Sequence, residues 1–240
     1  MFLSKILRKI KRLIFKSSAS WSKTFSQTGE DIIVKFLFNA IEKPSKLTWI
    51  DIGAHHPTYF SNTALFYSQG MRGINIEANP LLIQEFYRKR KRDINLNIAI
   101  ADRSSTMDFY VMNPPTLSTL SSEEAHRYEK FGHKITKIIP VKTMTVTEVI
   151  DKFCNEVFPD FLSLDAEGYD LEILKTINYE KSSPKIICVE NVTYQPKHAN
   201  GFYSMQINEL SKFLTSKNYS IIAFTLINTI FVKDDFIERA

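Results

Sequence analysis

Short apolar runs alternate along this 240-residue chain with stretches in which apolar residues recur at helical spacing. The apolar runs predict buried strands, which lie at residues 47–50, 73–77, 95–100, 161–165 and 185–190. Two further runs, 219–226 and 229–232, are joined around Asn228 and predict a closing hairpin. Because helices are predicted between most successive strands, the pattern predicts an α/β fold with a doubly wound, mostly parallel sheet. The C-terminal hairpin adds an antiparallel strand, and ligands are expected at the carboxyl ends of the strands.

The alternation is interrupted by a polar insert at residues 113–137, which lies between two short predicted strands at 107–111 and 138–141. Its many hydroxyl groups predict a lid over the substrate. A second polar loop at residues 192–203 is expected beside the same cleft. The residues predicted to contact substrate from these two segments are Ser118, Thr119, Tyr194, Lys197 and His198. Aromatic, amide and hydroxyl groups suit a sugar or nucleotide-sugar, and Lys197 is placed to meet a diphosphate.

The formal net charge of +5 belongs to the N-terminal part of the chain. Residues 1–23 contain seven of the 31 basic residues and no acidic residue, so the rest of the chain is slightly acidic. This composition argues against nucleic acid as the partner of the main body. The apolar residues of 1–23 recur at helical spacing and predict a basic amphipathic arm. Peripheral contact with a membrane surface and packing in a homo-oligomer both remain open for it.

Other features of the composition indicate a cytoplasmic protein. Peripheral contact with the inner face of the membrane, through the arm, stays open. Cys154 and Cys188 are far apart and predict no disulfide. No apolar run approaches the roughly 20 residues of a membrane span. The basic run at residues 88–92 is interpreted as a solvated helix face.

A cofactor site is predicted where the first strand runs into Asp51-Ile52-Gly53-Ala54. Gly53 lets the backbone approach a ligand closely, so Asp51, Gly53 and Ala54 are predicted to bind it. Glu77 ends the next strand, 26 residues after Asp51, where a carboxylate can accept hydrogen bonds from both hydroxyls of a ribose. Asp102 follows the third strand and is predicted to meet an adenine amino group. The set indicates a nucleoside ligand.

The same turn argues against a dinucleotide. A pyrophosphate site needs three spaced glycines, but here Gly53 is followed by His55, His56 and Pro57. The histidines are bulky and the proline has no N–H to donate. A ligand without phosphates fits better, and one of the two histidines must face the cleft, so His55 is predicted to contact substrate.

Several linked motifs resemble the FkbM family of methyltransferases. They lie at residues 26–31, 51–57, 61–63, 73–77 and 165–168. The resemblance spans roughly residues 25–235 and implies a class I methyltransferase domain at 24–240, with S-adenosylmethionine as the methyl donor. It also implies Gln27 as a cofactor-binding residue, and O-methylation, often of sugars in bacterial glycans or natural products.

Acidic residues at two later strand ends are predicted to carry the chemistry. A sugar hydroxyl needs a base or a metal ion to become a nucleophile. Asp165 ends the fourth strand and Glu190-Asn191 ends the fifth, where metal-dependent class I enzymes carry an Asp and an Asp-Asn pair. Asp165, Glu190 and Asn191 are therefore predicted to bind Mg²⁺ or Mn²⁺. In the alternative, Asp165 and Glu190 only hydrogen-bond cofactor or substrate, and Glu167 or His56 is the base.

The leading hypothesis is an O-methyltransferase that acts on a sugar hydroxyl of a nucleotide-sugar or a bacterial surface polysaccharide. One alternative is methylation of a small metabolite or a nucleic acid. Another is a non-catalytic S-adenosylmethionine-binding partner in a glycan-assembly complex. The intact acids at positions 51, 77, 165 and 190 argue against loss of catalysis.

Overall fold

The central sheet of the protein has seven strands in the order β3-β2-β1-β7-β8-β10-β9. It is seen in a computed structural model that describes residues 23–42, 46–191 and 208–239. The first five strands in this order are parallel, whereas β10 pairs antiparallel with both β8 and β9. The predicted fold class, a doubly wound and mostly parallel sheet closed by an antiparallel hairpin, is confirmed. In chain order the strands are β1 (Trp49–Ile52), β2 (Ile74–Ile76), β3 (Ile94–Leu96), β4 (Ala99–Ile100), β5 (Thr106–Asn113), β6 (Lys134–Met144), β7 (Phe161–Leu164), β8 (Ile186–Glu190), β9 (Tyr219–Phe224) and β10 (Asn228–Lys233).

Helices cover both faces of this sheet and bury two apolar cores. They are α1 (Glu30–Ile41), α2 (Ala64–Ser68), α3 (Ile83–Lys89), α4 (Ser122–Lys130), α5 (Val146–Phe153), α6 (Asp170–Lys175), α7 (Glu209–Ser216) and α8 (Asp234–Glu238). One core packs under α5, α6 and α7, and the other under α1, α2 and α8. β1 and β7 are buried along their whole length because both faces are covered.

The predicted third strand, residues 95–100, is wrong as a single element. β3 lies in the central sheet, but β4 pairs with β6 in a separate three-stranded sheet of order β4-β6-β5. The side chain of Asn97 donates hydrogen bonds to the carbonyl oxygens of Glu77 and Ala78 at 2.8 and 3.0 Å. These bonds fix the bend at which the chain leaves the central sheet.

The predicted lid, residues 113–137, is more ordered than a polar loop. It contains a short 3-10 turn at Pro115–Leu117 and the helix α4, and it ends in the first residues of β6. Ser121 caps α4 by accepting a hydrogen bond from the backbone N–H of Glu124.

Some predictions lie outside the described residues: those on the arm at 1–22, and those on Tyr194, Lys197 and His198. Within the described residues, no helix is long and apolar enough to cross a membrane.

Candidate active site

Gly53 brings the carboxyl ends of β1 and β7 into direct contact. Its backbone has φ 73°, a left-handed conformation that favours glycine. A Cβ atom at this position would lie 1.8 Å from the carbonyl oxygen of Asp165. The backbone N–H groups of Gly53 and Ala54 both donate to the carbonyl oxygen of Ile76, each at 3.0 Å. The turn thus ties three neighbouring strand ends together.

Glu77 lies at the end of β2 with its carboxylate held by two backbone donors. One oxygen accepts from the N–H of His55 at 2.9 Å and the other from the N–H of Asn79 at 2.7 Å. A carboxylate has about four acceptor positions, so two remain for a ligand. Burial outweighs these hydrogen bonds and raises the pKa of Glu77 to about 7.

Asp51 lies behind this turn, in a buried network that supports it. Its carboxylate accepts a hydrogen bond from the hydroxyl of Thr63 at 2.7 Å. Thr63 in turn accepts from Arg90, whose guanidinium also donates to the carbonyl oxygen of Pro57 at 3.0 Å. The Arg90 side chain is 1% exposed and pairs with the buried Asp93 at 2.7 Å. The interpretation of residues 88–92 as a solvated face is therefore wrong at Arg90.

The segment before α1 is held by the two acidic residues of the first turn of that helix. Asp31 accepts two hydroxyl bonds and one backbone bond from residues 24–26, at 2.6–2.9 Å. Glu30 accepts from the side-chain amide of Asn228 at 3.0 Å, which ties the segment to the turn before β10. Gln27 lies between these anchors and, together with Asn228, lines the cavity described next.

A first cavity of about 300 Å³ opens at the carboxyl ends of β1, β2 and β7. Nine of the predicted site residues line it: Gln27, Gly53, His55, Glu77, Ser118, Thr119, Asp165, Glu167 and Glu190. Its lining includes the apolar residues 98–100 and Phe109, which are called the apolar slot below. The slot was not predicted from the sequence, because the residues that form it come from the bend after β3 and from the second sheet.

Of the predicted site residues that the structure describes, five do not line the first cavity: Asp51, Ala54, His56, Asp102 and Asn191. Ala54 packs in a small apolar cluster. The ring of His56 is turned aside, and its Nδ1 accepts from the backbone N–H of Tyr59 at 2.9 Å. Asp102 is 49% exposed, lies 3.8 Å from Arg103 and does not line the first cavity; its contact with an adenine amino group stays a prediction.

Three carboxylates meet beside the first cavity, from Asp165, Glu167 and Glu190. One oxygen from each lies within 4.8 Å of the others. Burial and the repulsion between neighbouring carboxylates raise the pKa of all three, and that of Glu167 to about 7. Asp165 is exposed at the surface of the first cavity. Three oxygen donors of this kind fit a hard divalent cation.

Glu167 takes the place in this cluster that was predicted for Asn191. The amide of Asn191 donates to the hydroxyls of Ser211 and Thr229 at 3.0 and 3.2 Å. Its oxygen accepts from Asn208, so the side chain is engaged with α7 and β10. The metal set predicted from the sequence is therefore revised to Asp165, Glu167 and Glu190.

Glu167 is held in place by the insert. Its backbone has φ 47°, which is uncommon for a residue with a side chain. The hydroxyl of Thr119 donates to its carbonyl oxygen at 2.7 Å, and the hydroxyl of Tyr128 donates to its carboxylate. The insert thus contacts the carboxylate cluster directly, and Tyr128 is a site residue that the sequence did not reveal.

A second cavity of about 730 Å³ is also lined by members of the cluster. It shares Leu117, Glu167 and Glu190 with the first cavity. The rest of its described wall comes from α4 and the residues after it, from the start of α6, from the start of α7, and from Asn191, which directly follows β8. Glu167 and Glu190 therefore stand between two cavities.

The family model described as the methyltransferase FkbM domain matches residues 51–221, more than two thirds of the chain. None of the curated proteins compared with the chain matches it.

Three solved structures resemble the chain at low identity. A proposed caffeoyl-CoA O-methyltransferase from Staphylococcus aureus is 11% identical, covers 95% of this chain and 91% of its own, and has a TM-score of 0.43. A small RNA methyltransferase is 13% identical over 91% of this chain and 28% of its own, at a TM-score of 0.40. A proposed class I S-adenosylmethionine-dependent methyltransferase from Listeria monocytogenes is 12% identical over 97% and 67%, at 0.38.

Proposed function

The chain belongs to the methyltransferase FkbM domain family, and from this premise we propose that it transfers the methyl group of S-adenosylmethionine to a sugar hydroxyl. The main support is that two cavities meet at Glu167 and Glu190. An in-line displacement needs the donor and the acceptor on opposite sides of one point. The junction between the two cavities suits that requirement.

In this proposal the first cavity holds the cofactor. The free acceptor positions of Glu77 bind the two ribose hydroxyls, and the apolar slot at residues 98–100 takes the adenine ring. Gln27 and Gly53 contact the methionine part, which would place the methyl group near Asp165. The first cavity offers no glycine-rich turn for a pyrophosphate, which favours this cofactor over a dinucleotide.

The second cavity holds the acceptor, and Glu167 is the preferred general base. The acceptor oxygen bonds to the methyl carbon as the carbon–sulfur bond breaks, and S-adenosylhomocysteine leaves. The hydroxyl proton passes to the carboxylate of Glu167, whose pKa of about 7 suits a base near neutral pH. His56 lines neither cavity and is therefore set aside as the base.

A divalent cation is the second part of the proposal. Asp165, Glu167 and Glu190 would hold Mg²⁺ or Mn²⁺, and such an ion lowers the pKa of a bound hydroxyl. Within the described residues, no hydrogen bond or ion pair reaches the carboxylates of Asp165 and Glu190. Their oxygens are therefore free to accept a cation or a ligand hydroxyl.

Isothermal titration and a methyl-transfer assay test the proposal. S-adenosylmethionine should bind the purified chain, and Glu77→Gln should weaken binding at least tenfold, because a ribose hydroxyl loses its charged acceptor. Glu85→Gln is the matched control, since Glu85 lies on the surface of α3 and lines neither cavity. Equal affinity in wild type and Glu77→Gln would contradict the cofactor placement.

The metal has its own assay. Transfer of a labelled methyl group is measured with and without EDTA, and then with Mg²⁺ or Mn²⁺ restored. EDTA should abolish turnover, and added Mg²⁺ or Mn²⁺ should restore it. Asp165→Asn should have no turnover with or without the added ion. Full turnover in metal-free buffer would remove the metal and leave Glu167 as the base.

A further inference from the structure

The described wall of the second cavity is strongly acidic. Its ionisable residues include five carboxylates, those of Glu124, Glu167, Asp170, Glu190 and Glu209, and one guanidinium, that of Arg127. Arg127 already forms an ion pair with Glu124. The described wall of the cavity therefore has more acidic than basic side chains.

The same wall has groups that suit a polyhydroxylated ligand. The aromatic ring of Tyr128 lies in this wall, and the ring of His133 lies edge-on to it with the ring centres 6.2 Å apart. The carboxylate of Glu190 has no hydrogen-bond or ion-pair partner among the described residues. Such a carboxylate accepts hydrogen bonds from hydroxyl or ammonium groups but repels phosphates. The volume of about 730 Å³ lies within the usual range for a small-molecule site.

From this charge and geometry we infer that the acceptor carries no negative charge where it enters the second cavity, and is a neutral or amino-substituted saccharide rather than a nucleotide-linked or phosphorylated one. The inference rests on the proposed function and narrows its substrate class. A divalent cation at the carboxylate cluster does not reverse this balance in the described wall, because the ion and Arg127 together supply three positive charges against five carboxylates. A neutral or amino-substituted acceptor is also at odds with the expectation that a diphosphate binds in this cleft.

Matched acceptors test the inference. For each of glucose, galactose and mannose, the free hexose, the 2-amino-2-deoxyhexose, the hexose 1-phosphate and the nucleoside-diphosphate-linked hexose are compared by kcat/KM for labelled methyl transfer. The neutral and amino forms should exceed the two phosphorylated forms at least tenfold. Preference for a phosphorylated form would overturn the inference and leave the proposed function intact. Binding of S-adenosylmethionine without transfer to any of these acceptors would contradict the sugar proposal itself, and the inference with it.

A pair of charge reversals tests the mechanism of selection. Glu209 and Glu123 both lie in the first turn of a helix, α7 and α4, but only Glu209 lines the second cavity. Glu209→Lys should raise the ratio of kcat/KM for the phosphorylated form to that for the neutral form about fivefold, the effect of reversing one partly screened charge. Glu123→Lys should leave the ratio unchanged, and both variants should keep the wild-type affinity for S-adenosylmethionine. An unchanged ratio in Glu209→Lys would contradict selection by cavity charge.

Discussion

Arg90→Met should destabilise the protein far more than any other charge deletion in the run 88–92. The Arg90 and Asp93 side chains are 1% and 0% exposed and lie 2.7 Å apart. Removing one member of a buried ion pair leaves the other charge uncompensated and costs about 3–5 kcal/mol. The variant also loses hydrogen bonds to Pro57 and Thr63 at 3.0 Å, and the stacking of the guanidinium on Tyr67, whose ring centre is 4.6 Å away.

Urea denaturation measures the effect, with Arg88→Met as the control. Arg88 is 73% exposed and pairs with Glu85 on the surface, so its loss should cost at most about 1 kcal/mol. At roughly 2–4 °C per kcal/mol for a chain of this size, Arg90→Met should also lower Tm by about 6–20 °C.

A second substitution separates charge from packing. Asp93→Asn removes the uncompensated negative charge but keeps an oxygen that can accept the hydrogen bond from the backbone N–H of Gly73, which is 3.1 Å long in the wild type. The double variant Arg90→Met/Asp93→Asn should therefore recover part of the lost stability. A stabilising role of the buried ion pair is refuted if Arg90→Met lowers the free energy of unfolding no more than Arg88→Met does. It is also refuted if the double variant is less stable than Arg90→Met alone.

Two further predictions concern the first cavity. Gly53→Ala should weaken S-adenosylmethionine binding at least tenfold, because the added Cβ would lie 1.8 Å from the carbonyl oxygen of Asp165. Gly70→Ala is the control, since it adds a Cβ at a similar φ with no atom within 4 Å, and it should bind S-adenosylmethionine normally. Equal affinities of the two variants would exclude the clash. Because burial raises the pKa of Glu77 to about 7 and the carboxylate is the form that accepts ribose hydroxyls, affinity should be full above pH 7 and fall up to about tenfold per unit below it. Titration at pH 6, 7 and 8 checks this, and Glu77→Gln should lose the pH dependence; a wild-type affinity that is flat over this range would contradict the role of Glu77.

The sheet could be predicted from sequence because its central strands are buried on both faces. β1, β7 and β8 are short and mostly apolar, with Asp51, Ser163 and Glu190 as their polar or charged members. Such runs are typical of strands whose two faces are both covered. The edge was harder. β3 is partly exposed and only three residues long, and Asn97 bends the chain out of the sheet through its side chain, which no apolar periodicity records.

Arg90 shows a second limit. It directly follows α3 and has a non-helical backbone, with φ −113° and ψ 48°. The side chain therefore leaves the surface that Arg88 and Lys89 share and turns into the core. A run of basic letters gives no sign of this, because the buried partners Thr63 and Asn75 lie far away in the sequence.

Two members of the carboxylate cluster are positioned by strand ends, and the third is positioned by a loop. Asp165 and Glu190 could be paired from sequence, since the carboxyl ends of neighbouring parallel strands meet at one edge of a sheet. The third member could not, because Glu167 reaches the cluster only through a left-handed backbone that few side-chain-bearing residues adopt. Thr119 and Tyr128 hold that conformation from 48 and 39 residues away. The insert is therefore a structural part of the site as well as a wall of both cavities, so changes within it should alter the position of Glu167 as well as the choice of acceptor.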